Sequence, residues 1–554
     1  MNDLFALLSR QDVQPPLDQA AARALAAQLG KIAAADVYWR SVAAAHKALF
    51  FLGRQDAASA EGVRKYLFLL YDGENAALDG FAGADTDTIV DGRAFNLRIC
   101  ATTYPNALAL HAALPFTKPA TLGLKTSAGC GDRLGLATPG HVRAVRKTWS
   151  ALPVEPVETG GGVAPIFTQQ SIREMERTGR TPEDVVNDGT WGVFQEGWRG
   201  GYGADADHLK TRADVDACVA AGFTFYTFDP REHVDNDAHS EPLSVLKTKV
   251  AALPWDRLDD DETALRARYL KVFDIEGDFT LIFDEETLLR AAAKYGRAIA
   301  HVAEMYHYLA HALIEPVEIS GVSAGSTHAA GSTGRPFEVE VSVDETDTTT
   351  SPEEHFFIAS ELRRLGVQWV SLAPRYVGRF EKGVDYIGDL AEFERQIVRH
   401  AAIARQCGPY KLSIHSGSDK FAIYPIMARH THNLVHLKTA GTSYLEALRA
   451  IAAIDPPLFR NILDFSFERY EQDKVSYHVS ADPAQALASS SLANEELAHT
   501  LDNFHNRQML HVTFGSVLND ERFRARFFAA LRENEEAYYR VLEAHFDRHL
   551  EAFK

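Results

Sequence analysis

Between residues 120 and 445 the hydrophobic positions switch repeatedly between two periods. Short apolar runs that alternate with polar residues give way to stretches with apolar residues three and four apart, the marks of strand and amphipathic helix. The pattern predicts strands over 121–127, 164–169, 202–208, 223–229, 337–344, 368–374, 411–415 and 434–439. Helical spacing fills the intervals, as in 212–221, 352–365 and 390–407. Eight strand–helix alternations predict an α/β fold of the (β/α)8 TIM-barrel type rather than an open doubly wound sheet.

Period two also assigns faces. In 337–344, Val339, Val341 and Val343 share the face expected to pack on helices. Glu338, Glu340, Ser342 and Asp344 share the other face, too polar for ordinary barrel filling unless it lines a site. In 434–439 the inward set is His436 and Lys438, and in 411–415 it is Ser413 and His415. The flanks read differently. Residues 1–115 predict an N-terminal α+β extension with strands at 66–71 and 95–102. The barrel spans 116–445, with 230–336 inserted as a helical lid and a Gly/Ser/Thr-rich loop at 316–336. Residues 446–554 predict a helical C-terminal region.

Bulk properties narrow the function. A chain of 554 residues, 46% of them hydrophobic, can bury a large core. Its net charge of −19 argues against nucleic acid, which needs clustered Lys and Arg. A small anionic substrate needs only one or two local cations, and self-association into a homo-oligomer is compatible with this balance. The four cysteines, Cys100, Cys130, Cys218 and Cys407, are far apart with no CxxC spacing, which fits a reducing compartment. The first residues lack the basic flank and apolar core of a signal peptide, and no apolar run approaches the ~20 residues of a membrane span. The expectation is a soluble cytoplasmic protein with no membrane partner.

The candidate chemistry sits at strand ends, where barrel enzymes place their reactive groups. Asp207 and His208 close one strand, His415 another, and His436 lies inward on a third. A lone histidine is more often a hydrogen-bonded structural residue. Three at strand ends predict an open metal site of His208, His415 and His436, suited to zinc, manganese, iron, cobalt or nickel. Asp207 stands beside it as a proton acceptor. Anion-holding elements accompany the site: the Gly-rich loop at 126–135 with Arg133, the segment 438–443 with Lys438 and Thr442, and Arg375 near the mouth. No P-loop spacing is present. Glu340, deeper than Asp344 on the same face, is expected to have its pKa raised by burial and to donate a proton. A metal-free glycosidase using Glu340 and Asp229 is a competing reading.

Five segments carry a family resemblance: Ser-Ala-Gly-Cys-Gly-Asp-Arg-Leu-Gly (127–135), Ala-Asp-Ala-Asp-His-Leu-Lys-Thr (204–211), Glu-Val-Glu-Val-Ser-Val-Asp-Glu-Thr (338–346), Lys-Leu-Ser-Ile-His-Ser-Gly-Ser-Asp-Lys (411–420) and Val-His-Leu-Lys-Thr-Ala-Gly-Thr-Ser (435–443). With them the chain resembles the tagaturonate epimerase family of hexuronate catabolism. The resemblance implies metal-dependent interconversion of D-tagaturonate and D-fructuronate. The Asp207-His208, His415 and His436 set is similar to the metal site of class II aldolases, which implies retro-aldol chemistry. In that scheme Asp207 is the base, the three imidazoles hold the metal and Glu340 carries the second proton. Arg133 or Lys438 grips the substrate carboxylate, and 230–312 closes over the fragments. An aldolase or ketose isomerase acting on another sugar acid is one alternative, and a non-catalytic sugar-acid-binding barrel is another.

Overall fold

The alternation of Val339 and Val341 with Glu338, Glu340 and Ser342 builds one wall of a closed parallel sheet. The computed structural model describes residues 2–56, 63–150, 162–314, 334–415, 419–439 and 441–554. Up to residue 333, the Gly/Ser/Thr-rich loop expected at 316–336 lies outside the described residues, as do 416–418 of the rim after His415. The strands are β1 (Ser127–Gly129), β2 (Ala164–Ile166 and Thr168–Ser171), β3 (Ala204–Leu209), β4 (Phe225–Phe228), β5 (Glu338–Ser342), β6 (Ser371–Ala373), β7 (Lys411–Ile414) and β8 (Val435–Lys438). The two parts of β2 are separated only by Phe167. The first pairs with β1 and the second with β3, so the nine paired segments amount to eight strands. β8 pairs with β1, His436 opposite Ser127, and closes the barrel.

Each strand runs into a helix on the outside: α1 (Thr138–Ser150), α2 (Pro182–Gln195), α3 (Arg212–Ala221), α4 (Glu285–Ile314), α5 (Pro352–Arg364), α6 (Leu390–Cys407), α7 (Tyr424–His430) and α8 (Thr442–Ile454). Local sequence starts them firmly. Thr181 with Asp184, Thr211 with Asp214 and Ser351 with Glu354 form reciprocal capping boxes that satisfy orphan N–H groups at the starts of α2, α3 and α5. Glu354 also accepts from the buried Lys294 of α4 at 3.1 Å, which fastens α4 to α5.

The first strand differs from expectation. Its ladder is Ser127–Gly129, not 121–127, so the start of the Gly-rich loop is itself strand. The reason is close approach. A Cβ at Gly129 would lie 2.7 Å from Gln169 Oε1, so only glycine lets β1 sit against β2 here. Leu122 and Gly123 instead donate their N–H groups to the Glu338 carboxylate.

Before the barrel lies a six-stranded antiparallel sheet, with helix Gln19–Ala33 on one face and Tyr104–Ala113 and α2 on the other. After it comes a helical tail that includes α9 (Phe504–Val512) and α10 (Glu535–Leu550). α10 is a tie rod. Tyr538 donates to Ser443 O at 2.9 Å, and Glu535 accepts from Tyr38 of the N-terminal sheet at 2.6 Å. Among the described residues, no helix is long and apolar enough to cross a membrane.

Candidate active site and metal centre

The barrel interior is polar where branched apolar side chains usually fill it. Lys411 donates to Gly123 O and Ser127 Oγ at 3.0 and 3.1 Å on the lower level. Above it Lys438 Nζ meets four oxygens: Thr227 Oγ1 at 2.5 Å, Asp207 Oδ1 at 2.6 Å, Glu340 Oε1 at 2.8 Å and Asp205 Oδ2 at 3.1 Å. Burial opposes the Lys438 charge, but Asp205, Asp207 and Glu340 outweigh it and hold the ammonium above its usual range. One cation thus serves three carboxylates. Asp205 is the least well served, and burial pushes it up to about 7.

Adjacent residues of a strand point to opposite faces, yet Asp207 and His208 both line the mouth. A bulge explains it. Ala206 lies opposite Tyr226 and Leu209 opposite Phe228, so three steps of β3 span two of β4. His208 absorbs the extra residue with a left-handed backbone, φ 56°. Its Nδ1 lies 2.6 Å from Asp207 Oδ1, while its buried Nε2 has no hydrogen-bond partner among the described residues. That free Nε2 is 4.0 Å from both Asp344 Oδ1 and Glu345 Oε1. Across the mouth, His415 places Nδ1 3.2 Å from Asp344 Oδ1 and Nε2 2.6 Å from Glu340 Oε1.

His208, Asp344 and His415 therefore offer three ligand atoms within 4.8 Å of one another, and His208, Asp229 and Glu345 form an overlapping set. Two imidazoles with carboxylates suit a divalent transition metal. Each imidazole also has its second nitrogen on a carboxylate, His208 on Asp207 and His415 on Glu340, the arrangement that orients ligating histidines. The donor set fits a metal.

The carboxylates around the two imidazoles favour their charged forms. Burial opposes protonation of His415, but Asp344 and Glu340 push it up to about 10. Burial works against the Asp207 carboxylate, and His208 and Lys438 more than offset it, holding the group well below its usual range. Glu340 follows the same logic. Burial alone would raise it, as expected from its depth, but Lys438 and His415 bring it well below the ordinary glutamate value.

A cavity of about 30 Å³ opens over these groups. Its walls are Asp207, His208, His415 and Lys438, with Arg133 from the loop after β1, Ser171 at the end of β2, Arg173 and Glu174 from the short helix Ile172–Thr178 that follows it, Lys382 from the loop after β6 and Tyr477 from the tail. Among the described residues Lys382 has no ion-pair partner.

A family model described as tagaturonate epimerase matches residues 38–553. This chain belongs to the tagaturonate epimerase family. The tagaturonate/fructuronate epimerase of Thermotoga maritima is 42% identical over 452 residues, covering 82% of this chain and 85% of that one. The crystal structure of the fructuronate-tagaturonate epimerase UxaE from Cohnella laeviribosi matches with a TM-score of 0.80 at 35% identity, covering 96% of this chain and 99% of that one. A glycerol complex of the same Cohnella protein matches equally well.

Within this member of the tagaturonate epimerase family, the sequence-selected residues separate into groups. Asp207, His208, Glu340, His415 and Lys438 come together. His436 faces inward but pairs in register with Ser413, two positions before His415, and so sits one level below the mouth. Its Nδ1 lies 2.9 Å from Ser127 Oγ, burial lowers it to about 3, and it belongs to no three-donor group among the described residues. Asp344 is the third donor of the group that contains His208 and His415. Arg133 lines the cavity with its guanidinium on Glu174 at 2.5 and 2.8 Å and over the Phe514 ring. The N–H groups of Leu134, Gly135 and Ala137 in the same loop are taken by Asp132. Arg375 points Nη1 at Asp344 O, 3.5 Å away, and Thr442 opens α8 with its hydroxyl buried. Neither lines the cavity. The segment 230–312 reaches this rim through Arg231, 2.9 Å from Glu345. Lys382 and Tyr477, absent from the sequence reading, and Glu345, which appears there only within 338–346 and with no role, stand on irregular segments without periodicity to mark them.

Proposed function

We propose that the chain interconverts D-tagaturonate and D-fructuronate with a divalent metal held by His208, Asp344 and His415, through carbon–carbon bond cleavage and re-formation. The observation that carries this reading is the pair of imidazoles, each backed by a carboxylate, in a chain that belongs to this family along almost its whole length. Tagaturonate and fructuronate differ at a carbinol carbon β to the ketone. The hydrogen on that carbon is not acidified by the carbonyl, so enolisation leaves the centre untouched. When bound, the metal supplies Lewis-acid stabilisation of negative charge on substrate oxygens.

The chain's own groups do the rest. Asp207 uses Oδ1 for His208 and Lys438, leaving Oδ2 for the carbinol hydroxyl. As Oδ2 takes that proton, the hydroxyl oxygen becomes an aldehyde, and the electron pair of the broken carbon–carbon bond passes to the enediolate. The Lys438 ammonium lies against Asp207 and Glu340, where it steadies their charges through the cycle. The aldehyde rotates, the enediolate adds to its other face, and Asp207 returns the proton. The role of Glu340 in this reading is to hold His415 in place. Water must stay out while the fragments are separate, and the tight walls around Tyr477 serve that end.

In deuterated water with D-tagaturonate and Zn²⁺ or Mn²⁺, proton NMR is expected to show D-fructuronate with no deuterium at the inverted carbon. Substantial deuterium there rules out cleavage in favour of proton abstraction. No conversion with any divalent ion removes the epimerase reading itself, and accumulation of fragments points to an aldolase.

Lys382 is the proposed clamp for the substrate carboxylate, being a cavity cation without an ion-pair partner among the described residues. A hydrogen bond to a charged group contributes about 1.5–3 kcal/mol. Lys382→Met is therefore expected to raise KM by ~10–100-fold while kcat stays within about threefold. An unchanged KM removes Lys382 from substrate binding.

A further inference from the structure

A second set of metal donors lies between the loop after β7 and helix α10, sharing no residue with the barrel mouth. His545 and His549 are four apart on α10 and so share one helix face. Their Nε2 atoms are 3.3 Å apart, and both point at Asp419 Oδ1, at 2.6 and 3.1 Å. All three side chains are buried. Each imidazole is oriented from behind: Tyr424 Oη lies 3.0 Å from His549 Nδ1, and Glu446 Oε1 lies 3.4 Å from His545 Nδ1. Arg507 holds the other oxygen of Asp419.

As hydrogen bonds alone this geometry is awkward. Two Nε2 atoms converge on one carboxylate oxygen and approach each other among buried side chains. Donor atoms at these separations instead leave room for an ion about 2.0–2.2 Å from each, the usual Zn–N and Zn–O distance. The Glu446 carboxylate behind His545 is the kind of partner that orients ligating histidines.

We propose that Asp419, His545 and His549 bind a transition metal of the zinc class as a structural clasp. The clasp joins α10 to the mouth. Arg507, which holds Asp419, donates from Nε to Gly383 O at 2.6 Å, and Lys420 donates to Glu381 O at 2.8 Å. An ion here therefore fixes both sides of Lys382. The proposal does not depend on the role given to Lys382 or on the chemistry at the mouth.

The test counts ions in the full-length protein after loading with Zn²⁺ and dialysis. Two variants separate the sites: His208→Ala/His415→Ala empties the mouth, and His549→Gln empties the clasp while keeping a hydrogen-bonding side chain. Two ions per chain are expected in the wild type and one in each variant. With Co²⁺, the mouth variant should keep the d–d absorption of a histidine-bound ion, and its Tm should still fall on chelation. A mouth variant that binds no ion overturns the clasp. So does a His549→Gln protein that holds as many ions as the wild type. Should His549→Gln fail to fold, the mouth variant decides alone. A wild type with one ion, retained by the mouth variant, upholds the clasp and counts against the metal at the mouth.

Discussion

His415→Ala is expected to lower kcat by ~10³-fold or more and to remove one bound ion per chain. The size follows from what the imidazole does twice. In the proposed site its Nδ1 is a ligand beside Asp344, and its Nε2–H neutralises Glu340 at 2.6 Å. Loss of a metal that stabilises several kcal/mol of developing charge costs about a factor of ten per 1.36 kcal/mol. Glu340→Gln sets the scale. It keeps the ligand, disturbs its orientation and takes one of the three carboxylate charges off Lys438, and loss of such an orienting partner typically costs 10–100-fold in affinity or activity. The two variants should therefore differ by at least about tenfold, with His415→Ala the worse. Equal effects, or full metal content in His415→Ala measured by elemental analysis, would mean that His415 is not a ligand.

Lys438→Met is expected to destabilise the fold by ~3–5 kcal/mol, the usual cost of leaving buried charge unpaired. It removes the ammonium shared by Asp205, Asp207 and Glu340 in the barrel interior. Methionine matches the length, so packing changes little and the loss is electrostatic. The pH dependence gives the sign. Without the ammonium, Asp205 should rise further above the unfolded value of about 4, while Asp207 and Glu340 keep only His208 and His415 to oppose burial. Folding then takes up protons, so the variant is most stable in acid and loses stability as pH rises through the raised Asp205 value. Urea midpoints at pH 5 and pH 8 measure this directly. A variant as stable as the wild type at pH 8, with kcat within threefold, would show the network to be dispensable.

Much of the barrel was legible because the two faces of a strand differ in polarity, although both are buried. Val339 and Val341 against Glu338 and Glu340 gave both the strand and its orientation. The N-terminal strand Ala48–Asp56 was not legible, for the opposite reason. Phe50 and Leu52 enter one core while Leu49 and Phe51 enter the other, so the run is apolar on both faces and carries no alternation. In the site, period two gave the face but not the depth. It turned His436 inward correctly without showing that His436 stands level with Ser413, below the mouth. Nor does it foresee the bulge that lets Asp207 and His208 share a side. Composition suggested free N–H groups in the loop around Arg133, and the local carboxylate of Asp132 consumes several of them.

The order of residues along the chain has a consequence for biosynthesis. All eight strands precede residue 439, whereas Tyr477, Arg507 and α10 follow it. A ribosome delivers the amino-terminal end first, so the strands emerge before the residues that wall and brace their mouth. The nascent protein carries its reactive carboxylates and imidazoles for some time before it can seal them from water. Competence waits until α10 has left the tunnel.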